Sequence, residues 1–193
     1  DGPSGMRLDS GMKAFSLPNG TLLACTFNTQ LNEELYAFTA VEMIKNRVDI
    51  LLGPGMNIHR HPLNGRNFEY FSEDPYLTGK MAAAMIRGIQ KAGVSACAKH
   101  FAVNSQEERR MALNVVLDER TLREIYLTGF EIAVKEGKPG AVMSAYNAVN
   151  GQYANENPFL LQQILRKEWG FQGFVVTAVS YTHLRAHETG AYL

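Results

Sequence analysis

A lysine and a histidine stand side by side at Lys99-His100, where the apolar run over 94–98 gives out and the polar stretch at 106–110 is close by. A buried strand that ends in charged, hydrogen-bonding side chains either turns them into a pocket or holds them in a structural ion-pair network, and this run alone leaves both readings open. In a parallel α/β barrel the carboxyl ends of the strands build the active site. The loop GRNFEYFSEDP, residues 65–75, adds Arg66, a cluster of acids before a proline, and the rings of Phe68, Tyr70 and Phe71. Arginine donates hydrogen bonds in fixed directions, and aromatic rings combine apolar faces with polar tips. That composition suits a polyhydroxylated ligand such as a sugar. The alternative is a loop pinned to its own scaffold by ion pairs between Arg66 and a glutamate.

Lys99 and His100 beside Arg66 would form a donor-rich patch. Donors of this kind meet sugar hydroxyls, and they would hold a neighbouring carboxylate in its ionised form by favouring its charge. An ionised carboxylate is the nucleophile of a retaining glycosidase. Tyr146 and Asn147, at the end of the next apolar run, offer a hydroxyl that could touch such a carboxylate or simply cap the strand. Asp1, with Gly2, Pro3, Gly5 and Arg7 behind it, heads a turn that carries an acid but by itself says little. His59 and His61, with His100 as a third ligand, suggest a metal-dependent barrel hydrolase. Arg60 and Arg66 place positive charge beside that cation, and no aspartate ends a later strand to complete the set. The expectation is therefore no metal and no cofactor.

The elements that would position these residues alternate along the chain. Residues 21–27 read as a short strand, and a helix with an apolar stripe starts at Asn32. A buried strand over 49–58 breaks into a glycine turn, and a long polar loop occupies 59–74. A helix begins at Asp74-Pro75, with a cap and a proline in its first turn, and runs to about Lys91. Strand 94–103, helix 118–137, strand 141–147, helix 157–169 and strand 171–177 follow. This alternation predicts a parallel sheet covered by helices, and the nearly continuous apolar strands fit burial on both faces. Loops after helices are short, whereas loops after strands are long and polar, which is how a (β/α) barrel separates its stabilising face from its working face. The strands are too few to close a ring of eight. The predicted fold is an α/β, incomplete TIM-like barrel, whose open sheet edges would favour aggregation.

The chain has 193 residues, enough for one ordinary domain with a sizeable core. Nineteen basic side chains balance nineteen acidic ones, which gives no reason to expect nucleic acid or a charged membrane as partner. No apolar run is long enough to span a bilayer. Cys25 and Cys97 lie in apolar segments and read as small core residues. A signal segment would lie upstream of Asp1, so the sequence leaves a soluble protein open to either the cytoplasm or export.

Taken together, DGPSGMR, LLGPGMNIHRHPLNGRNFEYFSEDP, KHFAVNSQEERR, DERTLREIYL, MSAYNAVNG and WGFQGFVVT closely resemble glycoside hydrolase family 3, most of all its β-glucosidases. The resemblance covers residues 1–177, read as part of the family's N-terminal barrel domain. It implies hydrolysis of terminal β-D-glycosidic bonds with retention, a small carbohydrate as substrate and no metal. Carried onto this sequence, it implies that Asp1, Arg66, Lys99 and His100 grip one glycosyl unit and that Tyr146 sits beside the nucleophile. Asn57 to Pro62 would shape the loop that delivers Arg66, which makes His59 structural. One departure stands out. The family's nucleophile is an aspartate after Val-Val-Ser/Thr, usually followed by tryptophan, and this chain has Val175-Val176-Thr177 followed by Ala178-Val179. Residues 178–193 depart from the family and resemble translated sequencing-adapter sequence, and the family's acid/base lies beyond the first barrel. The expectation is a β-glucosidase-like chain lacking both catalytic carboxylates, with a non-catalytic sugar-binding protein as the alternative.

Overall fold

The computed structural model describes residues 2–8, 11 and 13–178. Asp1 and the tail from 179 onward, on which two of the expectations above fall, lie outside the described residues. Residues 21–27, expected as a strand, instead form most of helix α1 (Gly20–Cys25). The Asn19 side chain accepts from the Leu22 N–H at 2.9 Å, and Gly20, Leu23 and Ala24 bury one helical face. A short apolar run fits either periodicity, and here the cap decides for the helix. Helix α2 (Thr29–Lys45) starts slightly earlier than expected because Asn28, not Asn32, supplies the cap. Asn32 is instead buried and donates to the Met81 carbonyl at 2.8 Å, joining α2 to the next helix.

Strand β1 (Ile50–Leu51) leads through the long loop, with a short 3-10 turn at Asn67–Glu69, into helix α3 (Pro75–Gln90). Asp74 caps α3 by accepting from Leu77 N–H at 2.6 Å, and proline occupies its first turn. Residues Met81 to Ile86 are all buried, since α3 lies between α2 and the sheet. Gly88 is where α3 comes closest to α2: a Cβ there would collide with the Glu33 carbonyl and crowd Tyr36. Gly88→Ala is expected to cost about 1–3 kcal/mol by overpacking, and a lowered urea midpoint at unchanged slope would register it.

Strand β2 (Ser95–Phe101) follows, then β3 (Asn114–Val115) and helix α4, which is continuous over residues 119–137 and wound as π-helix over Leu122–Leu127 and Ala133–Gly137. Strands β4 (Ala141–Ser144), β5 (Ala148–Val149) and β6 (Gln152–Tyr153), helix α5 (Phe159–Glu168, also π-wound) and β7 (Phe174–Val176) complete the described chain. The main sheet has the order β1-β2-β4-β7 and is parallel throughout, as the alternation of strands and helices predicts. A small sheet, β3-β5-β6, ties the segment after β2 to the turn after β4. Sequence periodicity does not reveal it, because two-residue strands carry no alternation to read.

The sheet separates two apolar clusters. Ala96, Ala98 and Phe101 join the large core under the helices, while Cys97 faces the other way with Ala141, Met143, Tyr146 and Ala178. Alternation would send Cys97, Lys99 and Phe101 to one face. The pairing with β4 runs Lys99↔Met143 and then Phe101↔Ser144, so His100 is an extra residue in β2. This bulge shifts the parity: Lys99 stays on the inner face with Met143, and Phe101 turns back into the helical core. Bulges of this kind re-aim side chains beside active sites. None of the described helices is long and apolar enough to cross a membrane.

Candidate functional site

Lys99 and His100 are both only 2 % exposed, so the sheet delivers two polar side chains into its interior. Asn57, in the segment after β1, secures that delivery. Its Nδ2 donates to the His100 carbonyl and its Oδ1 accepts from the His100 N–H, both at 2.9 Å. One side chain thus satisfies both backbone groups of the bulged residue. The His100 Nδ1 lies 3.3 Å from the Tyr70 hydroxyl and from Asn57 Oδ1, which leaves Nε2 as the ring atom for a ligand. Burial, reinforced by the cations Arg66, Lys99 and Arg110, pushes the His100 imidazole well below its usual range, so the ring is neutral at pH 7. Burial likewise depresses the Lys99 ammonium to about 8, against the opposing pull of Glu69.

Arg66 is delivered by the loop that leads to α3. It pairs with Glu69 at 2.6 Å, and Glu107 lies 3.9 Å from its other terminal nitrogen. Glu107 also pairs with Arg110 at 2.5 Å and accepts from Asn104 Nδ2 at 3.2 Å. The Arg110 guanidinium then lies over the Tyr146 ring, 4.3 Å from its centroid. Charges of alternating sign therefore run from Glu69 through Arg66 and Glu107 to Arg110, ending on Tyr146. The pinned-loop reading of Arg66 is correct as far as it goes, and the pin also holds the guanidinium close enough for its field to act on Lys99 and His100. Ala178, 2 % exposed, packs in the inner cluster with Tyr146 and Met143.

A cleft of about 310 Å³ is lined by Gly2 to Arg7, Phe68 and Glu69 among others, and shares Glu69 with the Arg66 ion pair. The segment behind Asp1 thus forms a wall of the cleft. It is anchored by the Tyr36 hydroxyl, which donates to the Pro3 carbonyl, and by Leu17 N–H donating to Ser4 O at 2.9 Å. Two residues that the motif reading did not place in the site belong here. Arg7 lines the cleft, and Arg110 closes the charge chain. The mixed charges of QEERR were the available signal for Arg110, but a solvated face would carry the same signal.

The histidines that suggested a metal have other partners. His59 Nε2 meets the Asn67 carbonyl at 2.9 Å, His61 Nδ1 accepts from Leu63 N–H at 3.1 Å, and His100 is held as described. Among the described residues no three His, Cys, Asp or Glu side chains gather as a metal site. The Cys97 thiol is pushed up to about 12 by burial, so it is no nucleophile at neutral pH.

A parallel sheet flanked by helices, with its polar cluster at the carboxyl ends of β1, β2 and β4, defines an α/β domain of the TIM-barrel-like kind. Residues 5–189 match the profile described as "Glycosyl hydrolase family 3 N terminal domain", and the chain belongs to that family. It is 60 % identical over 177 residues to a β-glucosidase of Ruminococcus albus, covering 92 % of this chain and 19 % of the relative. It is 49 % identical over 187 residues to thermostable β-glucosidase B of Acetivibrio thermocellus, covering 92 % and 25 %. Among solved structures, β-glucosidase 3B from Thermotoga neapolitana in complex with α-D-glucose superposes with a TM-score of 0.90 at 50 % identity, covering 92 % of this chain and 26 % of that one. The chain thus spans about a fifth to a quarter of the length of these relatives.

Proposed function

We propose that this chain carries the glycosyl-binding part of a β-glucosidase-like hydrolase, acting on terminal β-D-glycosidic bonds of small carbohydrates. The observation that carries this reading is the convergence of Lys99 and His100 of β2 with Arg66 of the loop after β1, within electrostatic reach of one another and beside the inner cluster that holds Tyr146 and Ala178. Lys99 donates as an ammonium below pH 8, and neutral His100 offers Nε2 to a hydroxyl. Arg66 presents nitrogens already ordered by Glu69. Ordered donors lose little freedom when a ligand arrives. Asp1 would add a carboxylate able to accept from two sugar hydroxyls. Relatives named β-glucosidases, and a neighbour solved with glucose, support the same substrate class.

Retaining hydrolysis needs one carboxylate to form the glycosyl-enzyme and another to protonate the leaving oxygen. The family's nucleophile position carries the methyl group of Ala178, which cannot attack an anomeric carbon. The chain as it stands should therefore bind a β-glucoside without cleaving it, which favours a sugar-binding role for this sequence within a hydrolase family. The test pairs calorimetric titration with glucose against release of nitrophenol from an aryl β-glucoside. Binding with release at the buffer rate supports the reading. Turnover that disappears in Lys99→Ala would refute the inactivity, and absence of any glucose binding would refute the site.

A further inference from the structure

Helix α2 is apolar on two opposite faces. Tyr36, Ala40 and Met43 lie on the buried face, and α2 packs on α3. Leu31, Phe38, Val41 and Ile44 lie on the other side and are all exposed, Phe38 at 73 %. A surface helix with one apolar stripe would carry only polar side chains there. The exposed face also has an order. Leu31, Glu34, Phe38, Val41 and Lys45 follow one another at spacings of 3, 4, 3 and 4, the seam of a two-stranded coiled coil. We infer that α2 is the contact between two copies of this chain, packed antiparallel about a two-fold axis that passes between positions 39 and 40.

The charges on the seam set its direction. Glu34 and Lys45 are both exposed, and neither has an ion-pair partner among the described residues; Glu34 accepts from Gln30 Nε2 at 2.9 Å. An antiparallel pair centred between positions 39 and 40 sets Phe38 against the partner's Val41 and Glu34 against the partner's Lys45. The two-fold axis repeats both layers, so two apolar layers at the centre are closed by an ion pair at each end. A parallel pair would stack Glu34 on its own copy and Lys45 on its own copy, which like-charge repulsion opposes. The face is thus complementary to itself, as a contact between identical copies requires. Leu31, Phe38, Val41 and Ile44 expose roughly 400 Å² of apolar side chain per copy, which already lies in the range of the largest patches on typical monomers. With the charged stems between them, a pair would bury about 1,200 Å², the low end for a specific interface. One carboxylate balances one ammonium along the seam, which gives an anionic lipid surface little to hold.

Sedimentation velocity of the full chain across a concentration series tests the pairing. A monomer–dimer equilibrium with a dissociation constant on the order of 10 µM is expected from an interface of this size. Phe38→Glu should weaken it about a hundredfold, since the change falls twice at the centre of the contact. The far-UV spectrum of the dilute variant should match the parent, because Phe38 is exposed in the single chain. Glu34→Lys sets two ammonium groups together in each outer layer and should weaken pairing about tenfold. Glu34→Lys combined with Lys45→Glu restores opposite signs and should recover the parental constant to within about threefold. That recovery separates an antiparallel register from a simple apolar patch. A chain that stays monomeric throughout the series would overturn the inference, as would a dimer indifferent to Phe38→Glu. Weakening by Glu34→Lys with no recovery in the double variant would overturn the register. Species larger than a dimer that persist in Phe38→Glu would locate association at the open sheet edges instead.

Discussion

Phe101→Ala is expected to destabilise the chain by about 3–5 kcal/mol, a large share of the total stability of an ordinary domain. Phe101 is fully buried, and its ring meets Phe130 and Trp169 edge-on at centroid distances of 5.3 and 5.8 Å. It therefore joins β2 to both α4 and the turn that follows α5. Because the bulge at His100 is what turns Phe101 into the helical core, removing the ring also loosens the residue that presents the imidazole. Denaturant unfolding should show the loss of stability, and glucose titration should show weakened binding even where the variant remains folded. Phe101→Leu, which keeps most of the volume, should cost far less. A loss below about 1 kcal/mol for the alanine variant would mean that the ring contacts carry little of the core.

Removing Lys99 should produce the other large effect. Replacing it with methionine should abolish the charge-assisted hydrogen bond to the sugar proposed above, a loss of about 1.5–3 kcal/mol, or roughly ten- to a hundredfold in affinity. The parent should itself lose sugar affinity as pH rises through about 8, where the ammonium gives up its proton. Stability should move the opposite way. The Lys99 pKa in the folded chain lies below its ordinary 10.5, so the unfolded chain binds more protons between those values and the fold gains stability as pH rises through that window. Between pH 7 and pH 9 the parent should gain about 1 kcal/mol relative to Lys99→Met. Comparison with the variant is needed because Cys97, pushed up to about 12, acts in the opposite sense above pH 9. Urea unfolding of both proteins at the two pH values measures the difference, and parallel curves would show that Lys99 is not buried as a cation.

Helix α3 was readable in the sequence because cap, proline and apolar period agree over sixteen residues. Helix α1 was not, since six residues suit two periodicities and the deciding bond from Asn19 is a matter of geometry. Strand β2 was legible as a buried run, but the parity change at His100 was not, because a bulge leaves no mark in composition. Arg66, Lys99 and His100 were legible as a donor-rich patch through their position after apolar runs and in a ring-rich loop, and the fold brings the three within electrostatic reach of one another. What joins them was hidden: Asn57 reaches His100 across 43 positions, and Arg110 finds Tyr146 only after β2 and β4 have paired. Local pattern reveals which groups are available, whereas tertiary pairing decides which of them meet.

The order of the main sheet, β1-β2-β4-β7, also bears on how the chain is assembled during synthesis. Each of these strands settles beside the main-sheet strand translated before it, across an excursion that carries one long helix and, after β2 and β4, the short strands of the small sheet. A chain emerging from the ribosome finds its docking edge already laid down, and the next unit extends it. The His100 bulge takes its final register only when β4 arrives, so the cluster matures in step with translation of the following unit. Pausing the ribosome once β4 has cleared the exit tunnel would thus leave a nascent chain whose lysine and histidine are already seated.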